Sequence, residues 1–234
     1  MKKLIKSSLS LAMATLMSVS MFAKAGEAVA DEGGMSVSYN IGYMSEYWYR
    51  GAYQAESSMS FGADIEMGSV YLGMWGADVS DNTSTSTNNG GSEIDLYGGV
   101  NFEMMSIPMY VGFTGYYYTD NFDNDYEEIN VGADFGWFAV DGAVLGSYKS
   151  GGGTASSDYG HFTLTVPLGM LDYSYQTFTG GSLHWSTHEL SYSASVNGID
   201  LGATVGRNND GGKGTAANSN AETTYANFTI GYSF

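Results

Sequence analysis

The chain has 234 residues, 43% of them hydrophobic and 15% aromatic, with 33 Gly, 2 Pro and no Cys. Lacking cysteine, it has no disulfide scaffold, thiolate metal site or cysteine nucleophile. Its 25 acidic residues against 8 basic ones, a formal net charge of −17, would repel phosphate backbones and exclude nucleic acid as a partner. Its 19 Tyr, 11 Phe and 4 Trp exclude an unfolded acidic chain.

Residues 1–25 read as a secretory signal that is removed. Lys2, Lys3 and Lys6 make a basic start, Leu9 to Phe22 is apolar or small, and Ala23-Lys24-Ala25 offers a small-x-small cleavage site, with a cut after Ala30 as the alternative. Removal takes four bases with it, so Arg50, Lys149, Arg207 and Lys213 face 25 acids, a net charge of −21. A short segment, 26–34, then precedes the folded part, 35–234.

From residue 35 onward the chain alternates with period 2, the mark of strands with two unlike faces. Val37, Tyr39, Ile41 and Tyr43 alternate with small or polar residues, as do Met59, Phe61, Ala63 and Ile65. The pattern returns at Ile94 to Phe102, at Ile129 to Trp137, and at the end of the chain in Phe228, Ile230, Tyr232 and Phe234. Twelve strands are predicted: 35–49, 56–67, 69–79, 92–104, 107–119, 126–138, 139–148, 158–167, 169–178, 184–196, 198–207 and 222–234. Segments 69–79 and 139–148 alternate poorly and their faces stay unassigned; an interface or an inward fold is expected there.

Tight links near Gly68, Met105–Ser106, Phe138–Ala139, Leu168 and Asn197–Gly198 alternate with longer polar ones at 50–55, 80–91, 120–125, 149–157, 179–183 and 208–221. This predicts an all-β fold: a transmembrane antiparallel β-barrel of about 12 strands with up-and-down topology, in the outer membrane of a Gram-negative bacterium. A secreted β-sandwich is the soluble alternative. Strand length, the terminal Phe234 and aromatic clusters at strand ends favour the barrel. Tyr47, Trp48, Tyr49, Tyr116, Tyr117, Trp137, Phe138, Trp185 and Tyr232 are the candidates for an interfacial girdle. Phe228, Ile230, Tyr232 and Phe234 form the candidate signal for the barrel-assembly machinery. The expected partners are thus that machinery, the lipid bilayer and small solutes.

If the apolar face meets lipid, parity sends Glu46, Asp64, Asp95, Glu103, Asp134, Asp172, Glu189 and Asp200 inward, with Arg50 at the loop end; these nine are the pore-lining candidates. Four bases cannot neutralise so many acids, and a dry interior would not tolerate them. A water-filled lumen that passes small cationic or neutral solutes is expected, its inner face lean in volume because it is rich in Gly and Ser. The alternative is a barrel plugged by a loop or by segment 26–34, with a structural or adhesive role and no transport.

No enzyme activity, cofactor or metal is expected. His184 and His188 lie four apart, about 13 Å along a strand, too far to share one ion. The remote alternative is an outer-membrane lipid hydrolase. His184-Trp185-Ser186 is a His-x-Ser pair like that of outer-membrane phospholipase A, but Thr187-His188 replaces the Asn-Gly that follows the serine there, and no third partner is evident. Asp120, Asp123, Asp125, Glu127 and Glu128 read as a solvated acidic loop without the glycine and terminal Glu of a calcium loop.

Ser45-Glu46-Tyr47-Trp48-Tyr49-Arg50-Gly51 with Gln54, Asp95-Leu96-Tyr97-Gly98-Gly99, and Gly112 to Tyr118 followed by Tyr126-Glu127 resemble the TorF-type family of outer-membrane porins. Glu46 stands where that pattern has Asp, and Thr119 where it has Pro. The resemblance covers most of residues 36–135. It implies an outer-membrane porin of undefined substrate and no catalytic residues. Arg50, at a strand-to-loop junction beside Glu46 and several tyrosines, is expected either to fix the first loop over the mouth or to tune selectivity as the one positive charge of an acidic constriction.

Overall fold

The computed structural model describes residues 29–30, 34–80, 90–149, 156–180, 183–209 and 222–234, so the predicted signal lies outside the described residues. The described residues hold fifteen strands and no helix. They are β1 (Val29–Ala30), β2 (Met35–Met44), β3 (Tyr47–Tyr49), β4 (Ala52–Ala55), β5 (Ser58–Met67), β6 (Val70–Val79), β7 (Gly91–Met104) and β8 (Ile107–Tyr118). There follow β9 (Tyr126–Asp134), β10 (Ala139–Lys149), β11 (Ser156–Leu168), β12 (Leu171–Thr179), β13 (Ser186–Val196), β14 (Ile199–Asn208) and β15 (Thr223–Ser233).

Twelve of these, β2 and β5 to β15, form one antiparallel sheet in chain order. β2 pairs with β5 along Met35–Met44 and with β15 along Asn40–Met44, so the sheet closes on itself. Reciprocal backbone bonds between Tyr39 and Phe234, at 2.8 and 2.9 Å, extend that seam. Closure leaves no bare row of backbone donors and acceptors along a strand edge. The described part of segment 26–34, Val29–Ala30, pairs with Ser36–Val37 of β2 and adds to the wall.

Four of the predicted tight turns are two-residue links: Gly68–Ser69, Met105–Ser106, Gly169–Met170 and Asn197–Gly198. Met105, Ser106, Asn197 and Gly198 have positive φ, as hairpins of the primed type require. Two predicted boundaries are corrected. Strand 126–138 stops at Asp134, because Asp134 pairs with Ala139 and residues 135–138 form the turn. Strand 35–49 stops at Met44, and residues 47–55 form a separate two-stranded hairpin.

The polarity of the two faces is the reverse of a water-soluble protein's. Tyr39, Ile41, Phe61, Leu72, Leu96, Val131, Leu190, Val205 and Ile230 point outward and are exposed, while Ser60, Asn130, Thr163, Gln176 and Thr204 are buried inside. Both poorly alternating segments now have a cause. In β6, Val70, Leu72 and Met74 do point outward, but the inward positions Trp75, Ala77 and Val79 are equally apolar because they pack on the inner hairpin, and Tyr71 lies inward over Gly99. In β10 the register shifts between Ala143 and Leu145, a bulge that turns both Val144 and Leu145 outward.

The inner face is not lean, as its glycine content had suggested. Tyr71, Tyr97, Tyr110, Tyr159 and Tyr225 each lie over a glycine directly opposite on the next strand: Gly99, Gly73, Gly132, Gly146 and Gly206. A Cβ at Gly206 would sit 2.1 Å from Cζ of Tyr225. The glycines make room for tyrosine rings to lie flat along the wall, and the rings cover backbone that glycine leaves bare.

Replacing Gly206 by Ala should therefore expel the Tyr225 ring and cost about 1–3 kcal/mol, read as a lower urea midpoint. In a Tyr225→Ala background the same change should cost much less, since the clash is gone.

Candidate functional site

The first long link folds into the barrel. Its three aromatic residues Tyr47-Trp48-Tyr49 would leave a large apolar surface in water, and the barrel interior offers both rings and hydrogen-bond partners. Tyr47, Trp48, Arg50, Gln54 and Ala55 are all buried. Tyr47 and Ala55 pack with Met44, Trp75, Ala77 and Val79. Trp48 stacks on Tyr225, ring centroids 4.1 Å apart and planes within 6°. The Tyr47 hydroxyl donates to Glu93 at 2.9 Å.

The tip of this hairpin is Arg50-Gly51, with φ of 48° and 80°. Positive φ at both central residues fits a type I′ turn, where Asn and Gly are usual and a long side chain is strained. Gly51 is required twice over, since a Cβ there would also lie 2.0 Å from Oγ1 of Thr187. On one side the tip is held through its backbone. Nε1 of Trp185 donates to the Arg50 carbonyl at 2.9 Å, and Nδ2 of Asn208 donates to the Gly51 carbonyl at 2.5 Å.

On the other side it is held by charge. The Arg50 guanidinium makes two hydrogen bonds to Glu128 of β9, at 2.5 and 3.1 Å. The two residues are 6% and 2% exposed. Glu128 also accepts hydrogen bonds from the hydroxyls of Tyr116 (3.2 Å) and Tyr159 (2.8 Å) and from Nδ2 of Asn130 (2.8 Å). Three aromatic rings, Tyr49, Tyr116 and Phe178, lie 4.9–6.0 Å from the guanidinium carbon. Burying two charges costs several kcal/mol per ion unless geometry and further hydrogen bonds compensate, and here five bonds converge on one carboxylate. Above the pair a cavity of about 50 Å³ remains, bounded by Tyr49, Gln54, Tyr118, Asp123, Tyr126 and Trp185 among others.

Of the nine residues expected to line a lumen, Arg50, Asp95, Glu189 and Asp200 are buried inside the barrel. Glu189 takes hydrogen bonds from Gln176 and Tyr225 at 2.6 Å each. Asp64 is half-buried and accepts from Tyr97 at 2.5 Å. Glu103 and Asp172 are exposed near the tight-turn end, and Asp134 caps the 135–138 turn by accepting from Gly136 N–H. Glu46 precedes the hairpin and accepts from Trp48 at 2.8 Å, while Arg50 pairs with Glu128.

Three interior acids were absent from the expectation: Glu93, Glu128 and Asp141. Parity with Ile129 marks Glu128 as inward, but its place beside Asp123 and Asp125 made it read as loop. Asp141 sits in the bulged strand, where parity fails. Among the described residues the buried set has six acids, one arginine and one histidine. Several of these groups have buried atoms with no protein partner, namely Oε1 of Glu93, Oδ1 of Asp95, Oδ2 of Asp141 and both ring nitrogens of His161.

The expected girdle is corrected at five positions. Tyr47, Trp48 and Tyr116 are buried inside, Tyr49 bonds to the Tyr116 hydroxyl at 2.6 Å, and Trp185 donates to the hairpin tip. The interior needs aromatic mass to enclose the guanidinium, and the alternation of β2 ends at Met44, so it sets no face for residues 47–49 in the separate hairpin. Trp137, 74% exposed, and Phe138 lie on the 135–138 turn, where Phe138 stacks on Phe135 at 4.6 Å. Tyr117 is half-buried, and Tyr232 is exposed with Phe228, Ile230 and Phe234. Of the His-x-Ser pair, Ser186 opens β13 with its N–H bound to Asn209, next to inward-facing Thr187. No cluster of three metal-ligating residues occurs among the described residues.

Converting Glu128 to Ala should strand the buried guanidinium and destabilise hairpin docking by about 3–5 kcal/mol. The check is Trp48 emission during urea titration. Arg50→Met combined with Glu128→Gln should recover most of the loss, because no unpaired charge then remains.

Comparison with solved structures gives the fold. The chain is similar to a KdgM porin, with TM-score 0.53 and 10% identity over 84% of this chain and 99% of that one. It is also similar to the COG4313 outer membrane channel from Pseudomonas putida F1, with TM-score 0.51 and 11% identity over 90% and 99%. Outer membrane phospholipase A from Escherichia coli matches at TM-score 0.42 and 12% identity over 84% and 92%. No curated protein matches. A family model described as "Bacterial protein of unknown function (Gcw_chp)" matches residues 27–229, so the closed barrel and its inward hairpin belong to a member of that family.

Proposed function

We propose that the protein is an outer-membrane porin of small conductance that prefers cations and neutral solutes, with the hairpin of residues 47–55 as its constriction. The observation that carries this reading is the interior composition among the described residues: six buried acids against one buried arginine and one histidine, inside a closed barrel with an apolar outer wall. Arg50 is consumed by Glu128, so the field left over is negative and attracts cations. Buried carboxylate and imidazole atoms without protein partners each cost about 1–3 kcal/mol when dry, which supports a hydrated lumen. The named porin and channel of the same fold support the class of function, and they are the basis for placing the chain in the outer membrane. On this reading, segment 1–25 directs export, the bilayer covers the outer wall, and Phe228, Ile230, Tyr232 and Phe234 present the strand read by the assembly machinery.

The burial of the hairpin tip favours a second reading, a plugged barrel without transport. Planar bilayers with a KCl gradient separate the two. The porin reading expects small cation-selective steps from the native chain and several-fold larger ones when residues 47–55 are replaced by a short Gly-Ser link. A silent native chain beside a conducting variant supports the plug. Anion selectivity, or silence in both, overturns the porin.

A further inference from the structure

We infer that the barrel wall carries a guanidinium-binding site, built around Glu128, which Arg50 occupies as a tethered stand-in and which takes a free guanidinium-bearing solute when the tip is withdrawn. This deepens the porin reading by naming a solute class for the same lumen, and it rests on that reading only for access.

Three features of the site point to it. First, Glu128 is positioned by the wall alone: Tyr116, Asn130 and Tyr159 on β8, β9 and β11 all donate to it, at 2.8–3.2 Å. The carboxylate would keep its place and orientation without Arg50. Second, the wall supplies rings as well as charge. Tyr116 and Phe178 lie 6.0 and 5.8 Å from the guanidinium carbon and come from strands other than that of Glu128. A fork-shaped planar cation between π faces, with a carboxylate at its edge, is the chemistry that distinguishes guanidinium from ammonium or a metal ion. Third, the hairpin bears an arginine where its turn geometry favours Asn or Gly, with φ of 48°. The backbone is strained there to deliver that side chain, so the side chain is matched to the site rather than to the turn.

Arg50→Ala removes the tethered cation and leaves a space of its shape. Ethylguanidinium, added to the refolded variant in detergent, should bind and raise its Tm in a dose-dependent way, by mass action on the folded state. Ethylammonium and Na⁺ at equal concentration should bind about tenfold more weakly or worse, and so should ethylguanidinium in Arg50→Ala/Glu128→Gln, the scale of a lost charge-assisted hydrogen bond. The native chain, its site filled, should show no such shift. Equal shifts with all three cations, or a shift that survives Glu128→Gln, overturn the proposal. Where Arg50→Ala does not refold, Arg50→Gln serves in its place, and failure of both to gain guanidinium affinity is also decisive against it. In bilayers the Arg50→Ala current should be blocked by ethylguanidinium. Binding in detergent without any current would retain the site and reject the porin.

Discussion

The loop end of this barrel is organised by one ion pair. Arg50 reaches from the tip of an inward hairpin to Glu128 on the far wall, and both charges are removed from water. Such a pair is stable only if every remaining lone pair and proton is used. The surrounding residues follow from that requirement: Tyr116, Asn130 and Tyr159 satisfy the carboxylate, Trp185, Thr187 and Asn208 take the carbonyls behind the guanidinium, and aromatic rings exclude solvent around it.

The same constraint explains the composition of the wall. A hairpin in the lumen needs an apolar seat, which β6 supplies with Trp75, Ala77 and Val79, and a flat aromatic seat, which Tyr225 supplies to Trp48. Tyrosine rings fit along the wall only because glycine stands opposite them. Gly and Tyr abundance thus reflects one packing device, used repeatedly inside the barrel, and not a lean lining combined with a lipid-facing belt.

Strand count, topology and the outward face were legible in sequence, because period-2 alternation and the rhythm of short and long links depend only on local geometry. The candidate site was legible in part. Arg50 stood out at the strand-to-loop junction, but its partner is not a chain neighbour such as Glu46, four residues back; it is Glu128, 78 residues on. Glu128 carried an inward parity that its acidic neighbours obscured. Asp141 was hidden by the β10 bulge, which inverts parity partway along the strand.

By itself the sequence determined the all-β architecture, the two unlike strand faces and the surplus of acid over base, since each follows from periodicity or counting. Only the tertiary structure decided that residues 47–55 turn inward and that Tyr47, Trp48 and Trp185 serve the interior. The alternation of a strand says which residues share a face; whether a polar, aromatic link lies over the mouth or inside it depends on partners 78 to 157 residues away, which come together only when the barrel closes.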